Sequence, residues 1–110
     1  MAANTVPLPN ALTFQIETSD EDTLVRCSGN LTYETAATFK AQVKPLLSDC
    51  RRVLLDFSEV SYIDSSGLGA LVGVYASAKG AGRDLQLSNV QPRIRDLLRL
   101  TNLLPIFGLQ

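Results

Sequence analysis

Asp64, Ser65, Ser66 and Gly67 put a carboxylate, two hydroxyls and a glycine in a row where an apolar β-run gives way to a helical repeat. On the near side, Val53 to Phe57 is an almost unbroken run of β-formers, the pattern of a strand buried on both faces. Val60, Tyr62 and Ile63 carry the apolar character up to the turn. On the far side, Leu68, Leu71, Val72 and Tyr75 recur at helical spacing. A turn between such elements hands its side-chain oxygens to the positive end of a helix dipole, where anions are favoured. Two uses of these residues follow. Asp and Ser are the preferred helix N-caps, so the row can simply start a helix. A serine there can also become the anion itself, by phosphorylation. One residue can cap while its neighbour stays exposed, and Ser65 is read as a switch residue.

Other chemistry fails on composition. The 110-residue chain has no histidine, which removes a Ser-His-Asp triad, a histidine general base and any histidine metal site. Centred on Ser66, the row lacks the first glycine of a nucleophile elbow, because Asp64 occupies that place. Gly67, Gly69 and Gly73 are one residue out of step with a dinucleotide fingerprint, and no Gly-Lys-Ser/Thr marks a P-loop. Asp56, Glu59 and Asp64 are near enough in sequence to suggest magnesium. The plainer reading has Asp56 and Glu59 ending a strand and lining a turn while Asp64 caps a helix. No cofactor or metal is expected, and an enzyme is not expected.

The elements that position this row read as one α/β domain. Residues 1–10, with Pro7 and Pro9, form a loose lead-in, and residues 11–110 the domain. Leu12, Phe14 and Ile16 alternate with polar residues as in a half-buried strand. The acidic turn Ser19-Asp20-Glu21-Asp22 leads to a second strand through Leu24, Val25 and Cys27, predicting a hairpin. A helix follows with Ala36, Phe39, Val43, Leu46 and Leu47 on one face, Thr32 rather than Tyr33 as the better N-cap candidate, and Pro45 kinking or shortening its last turn. The second helix runs from about Ser66 to Lys79 and stops at Gly80-Ala81-Gly82. Asp84 to Ser88 is a strand with Leu85 and Leu87 inward. Pro92 opens a third helix carrying Ile94, Leu97 and Leu98, Asn102 ends it, and Leu103 to Phe107 makes a last strand. The order is β-β-α-β-α-β-α-β, a mixed β-sheet packed against α-helices.

A formal charge of -1 gives no electrostatic footprint for nucleic acid or an anionic membrane. No basic start followed by an apolar block marks a signal peptide, and Gly67 to Ala78 is too short for membrane insertion. Cys27 and Cys50 lack metal-ligand spacing and read as packing thiols in a reducing, cytoplasmic setting. Arg93, Arg95 and Arg99 read as a solvated face of the third helix.

From Gly29 onward the chain resembles the STAS domain family, in particular the bacterial anti-sigma factor antagonists. The resemblance rests on Gly29-Asn30-Leu31, Val53-Leu-Leu-Asp-Phe, and Val60-Ser-Tyr-Ile-Asp-Ser-Ser-Gly-Leu-Gly-Ala-Leu. The Gly80-Ala-Gly stop and the Pro92 helix complete it. It implies a partner-switching regulator of transcription. The unphosphorylated protein binds an anti-sigma factor that is also an ATP-dependent serine kinase, and so frees a sigma factor. Phosphorylation of Ser65 releases the kinase until a phosphatase restores the hydroxyl. The same resemblance makes Asp64, Ser66, Gly67, Leu68, Asn30 and Thr32 the switch support and partner contact. Antagonists often carry an aspartate where this chain has Thr32. A monomer or weak dimer suits that role. The alternative is a non-switching STAS scaffold, in a stress-signalling assembly or as a soluble subunit of a membrane transport system.

Overall fold

The computed structural model describes residues 11–109; the expectation for residues 1–10 lies outside them. The chain forms β1 (Leu12–Thr18), β2 (Asp22–Leu31), α1 (Ala36–Val43), β3 (Arg52–Ile63), α2 (Ser65–Gly80), β4 (Asp84–Ser88) and α3 (Pro92–Leu100). Short 3-10 turns at Lys44–Ser48 and Pro105–Phe107 follow α1 and α3. The sheet is mixed, in the order β1-β2-β3-β4. β1 and β2 are the antiparallel hairpin, closed by Ser19 N–H donating to Asp22 O at 2.9 Å. β2, β3 and β4 run parallel, as they must when helices α1 and α2 make the crossovers.

Strand periodicity decides which side chains meet the helices. Val25 and Cys27 of β2, Val53, Leu55 and Phe57 of β3, and Leu85 and Leu87 of β4 are buried in one cluster with Phe39 and Val43 of α1 and Leu71, Val74 and Ala78 of α2. Helix α3 adds Ile94 and Leu98 to the same core. Burying an aliphatic side chain of this kind stabilises by about 1.5–3 kcal/mol, so the core holds the β3–α2 junction rigidly in place. Phe39 and Phe57 meet edge to face, with centroids 6.4 Å apart. Both cysteines are buried and unpaired. Burial, with the charge of Asp56 adding to it, pushes the Cys27 thiol up to about 12, so it stays protonated and serves packing. No helix among the described residues is long and apolar enough to cross a membrane.

The structure corrects four sequence expectations. β3 does not end near Asp56 but continues to Ile63, so Asp56 and Glu59 lie within the strand. Polar side chains at Ser58, Glu59 and Ser61 obscured this, because the strand projects beyond β4, which pairs only as far as Asp56. Ile16 is 40% exposed, since β1 is an edge strand whose far end lacks helix cover. Helix α1 begins after Thr35, not at Thr32. The last predicted strand, Leu103 to Phe107, is instead an irregular segment ending in a 3-10 turn. Asn102 reverses the chain at φ 62°, Pro105 cannot donate a ladder hydrogen bond, and Phe107 packs edge to face on Tyr75 of α2.

Candidate functional site

The Asp64 row forms the junction between β3 and α2, and one carboxylate ties that junction to the loop between β2 and α1. Asp64 is the N-cap of α2. Its Oδ1 accepts the Gly67 N–H at 2.8 Å, and its Oδ2 accepts the Tyr33 N–H at 3.0 Å. Its own N–H donates to Leu31 O at 3.2 Å. These donors, Gly67 first and Tyr33 next, hold the Asp64 carboxyl below the ordinary carboxylate range. Gly67 lets the first turn of α2 lie against β2, because a Cβ there would stand 2.0 Å from Leu31 O.

On the loop side, Thr35 Oγ1 accepts the Thr32 N–H at 2.9 Å and donates to Asn30 O at 2.8 Å. Asn30 Oδ1 accepts the Ser61 hydroxyl at 3.1 Å, linking the loop to the extended end of β3. That end is irregular by design of the backbone. The β2–β3 register shifts between Gly29 and Asn30, and Gly29 has φ +124°, a conformation that side chains disfavour.

Six of the seven sequence candidates therefore meet or adjoin at this junction: Asp64, Ser65, Ser66, Gly67, Leu68 and Asn30. Ser65 and Ser66 occupy the first two positions of α2 and are exposed. Leu68 is half-buried and packs on the core, and Gly67 is buried. Thr32 lies in the adjoining loop, but its hydroxyl is screened from solvent and has no hydrogen-bond partner. It contributes through the loop backbone, whose carbonyl accepts from the Thr35 and Ala36 N–H groups.

Sequence reading missed Tyr33, Thr35, Ser61 and Tyr62. Thr35 had a signal, a hydroxyl immediately before the first helical residue. The Tyr33–Asp64 bond spans 31 residues and leaves no local trace. Tyr33 is 80% exposed and Tyr62, opposite Asn30 in the β2–β3 register, is 48% exposed.

Asp56 stands apart from this junction. Burial pushes its carboxyl up, but the Ser58 N–H at 2.9 Å, the Asn89 amide at 3.2 Å and Arg26 outweigh it, leaving the group lowered. It ties β3 to the loop after β4. Among the described residues no group of three or more metal-ligating side chains gathers. A cleft of about 600 Å³ lined by Glu21, Asp22, Arg51, Arg52 and Asp84 sits at the opposite ends of β3 and β4. There Arg51 pairs with Glu21 and Arg52 with Asp22, each at 2.7 Å.

The cap makes a prediction. Asp64→Ala removes both acceptors and is expected to lower Tm by roughly 4–8 °C at neutral pH, as a lost N-cap does in a domain of this size. Because the folded-state carboxyl titrates below its unfolded counterpart, its stabilisation is present above the unfolded pKa and is lost as pH falls through the folded one. The Tm gap between parent and variant should close on acidification below the carboxylate range. A gap that persists there would show that the charged carboxylate is not what holds the junction.

A four-stranded mixed sheet, with a capped helix presenting serines beside the β2–α1 loop, defines the STAS class of α/β domain. The STAS domain family model matches residues 13–110, and the chain belongs to that family. The chain is 28% identical over 94 residues to the anti-sigma-B factor antagonist of Bacillus subtilis, covering 86% of each. A crystal structure of a putative anti-sigma factor antagonist from Thermotoga maritima superposes with TM-score 0.79 at 28% identity, over 87% of this chain and 84% of that one. The unphosphorylated form of the anti-sigma factor antagonist SpoIIAA matches in fold with TM-score 0.72 at 23% identity, over 84% of each chain.

Proposed function

We propose that this protein is an anti-sigma factor antagonist that works by partner switching, with Ser65 as the phosphorylated residue. The observation that carries this is the placement of Ser65. It is exposed at the first position of α2, while Asp64 alone supplies the cap, so the hydroxyl is spared a structural duty. The match to named antagonists over most of the chain supports the same role. The chain acts by binding, and the chemistry belongs to the enzymes that modify it: an anti-sigma factor with serine kinase activity and a phosphoserine phosphatase. The setting is the cytoplasm, where ATP and sigma factors meet.

The energetics separate the fold from the interface. A phosphoserine carries about -1.5 to -2 charge and gains on the order of 1 kcal/mol at an exposed helix N-terminus. The neighbouring Asp64 carboxylate takes some of that back, so the fold changes little. The kinase is different, because the phosphoryl donor must sit opposite Ser65. After transfer, the new phosphate faces the phosphates left on the nucleotide. Like-charge contact and desolvation at such an interface cost roughly 2–5 kcal/mol, or about one and a half to three and a half decades of affinity.

The test is peptide mass spectrometry after incubation with ATP and each purified anti-sigma-type serine kinase of the same organism. One phosphate on the peptide containing Ser65, absent from Ser65→Ala, is the expected result. Phosphate confined to Ser66, or none with any kinase, would overturn the assignment.

A further inference from the structure

We propose that the partner grips this protein at Tyr33, through cationic side chains that lie over its ring, with Tyr62 as a second aromatic contact. The inference rests on the antagonist reading and says how the same site is recognised. Among the described residues Tyr33 is the most exposed of the large hydrophobic side chains, at 80%, and yet its backbone is fixed. Its N–H is held by Oδ2 of Asp64, the residue directly before Ser65, so the Tyr33 backbone is fixed beside the start of α2. Tyr62 stands two residues before Asp64 and pairs with Asn30. A rigid backbone with an exposed aromatic ring is the usual composition of an interface anchor, since ordering it on binding costs little.

Charge identifies the partner's side. Residues 27–39 and 57–78, which include the junction, contain no lysine or arginine but do contain Glu34, Glu59 and Asp64. All 10 basic residues lie elsewhere in the chain. An electron-rich ring borne by a segment that carries acidic groups and no cation attracts guanidinium or ammonium groups. A kinase that holds nucleotide phosphates supplies such groups around its nucleotide. Cations at the rim hold Tyr33 while the nucleotide faces Ser65, so docking and release use different parts of one surface.

The test measures dissociation constants for the parent, Tyr33→Ala, Tyr33→Phe and Ser65→Asp against each purified anti-sigma-type kinase, at low and high salt. Tyr33→Ala is expected to bind about 30-fold more weakly, the loss of one anchor of about 2 kcal/mol at 1.4 kcal/mol per decade, with an unchanged Tm. Tyr33→Phe keeps the ring and should stay within about threefold of the parent. High salt should weaken the parent and narrow the gap to Tyr33→Ala. Parent-like binding by Tyr33→Ala, or a loss as large in Tyr33→Phe, would overturn the ring contact. A loss in Tyr33→Ala that salt leaves unchanged would overturn the cationic partner. If Ser65→Asp also binds like the parent, or no kinase binds the parent, the antagonist reading fails as well. If Ser65→Asp alone loses binding, that reading stands and Tyr33 is excluded as the anchor.

Discussion

Ser65→Asp is expected to melt within a degree or two of the parent and to bind the anti-sigma kinase at least about 30-fold more weakly. Ser65→Ala should bind as the parent does and take up no phosphate. The asymmetry follows from where the side chain stands. Ser65 is exposed at the start of α2, and the hydrogen bonds that fasten this junction run through Asp64, Gly67, Leu31 and Tyr33 instead. An added carboxylate therefore gains a few tenths to about 1 kcal/mol from the helix dipole and loses a similar amount to Asp64. At the interface no such cancellation operates. The nearest stretches of this chain contain no basic side chain to neutralise a new negative charge. The charge must be desolvated against a partner whose nucleotide is anionic, at a cost of about 2 kcal/mol or more. Aspartate carries one charge against nearly two for phosphate, so the phosphorylated protein should be the weaker binder of the two. Calorimetric titration of the kinase with each variant, alongside thermal melts, checks both halves. Equal affinities for parent and Ser65→Asp would place the switch elsewhere.

Much of the fold was written locally. Alternation gave β1 and β4, and the apolar residues Leu24, Val25 and Cys27 gave β2; Pro92 and Asn102 bounded α3; and Asp64 announced the cap of α2. These signals are readable because each arises from one residue's backbone preference or from one element's exposed and buried faces. The errors came where tertiary contact decides. Leu103 to Phe107 has strand-like composition, but Phe107 is better buried against Tyr75 than extended along the sheet. The polar tail of β3 reads as a turn until β2 supplies its ladder partners through Asn30 and Leu31. The site divides in the same way. Asp64, Ser65 and Gly67 were visible as a row, whereas Tyr33 and Thr35 matter only because the fold brings the β2–α1 loop against α2.

The closeness of that approach fixes the second large effect. Gly67→Ala is expected to destabilise the protein by roughly 2–4 kcal/mol, while Gly69→Ala, two residues past it in the same helix, should stabilise by about 0.5–1 kcal/mol. Alanine is the better helix former at both positions, so propensity alone predicts a gain in each. Space reverses the sign at one of them. A Cβ on Gly67 would lie 2.0 Å from Leu31 O and 2.6 Å from Leu31 C, whereas a Cβ on Gly69 meets nothing within 4 Å. The two nearest obstructing atoms are backbone, and they cannot swing aside as a side chain does. Leu31 is paired with Ile63 in the sheet, and its carbonyl also accepts the Asp64 N–H. Relief requires the first turn of α2 to lift from β2, which stretches both bonds to the Asp64 carboxylate. Gly67→Ala should thus lose partner binding as well as stability, even under conditions where it remains folded. Urea unfolding midpoints for the two variants decide the matter. Equal and favourable shifts would mean that α2 does not press on β2 here, and that Tyr33 and Ser65 are not held on one rigid surface.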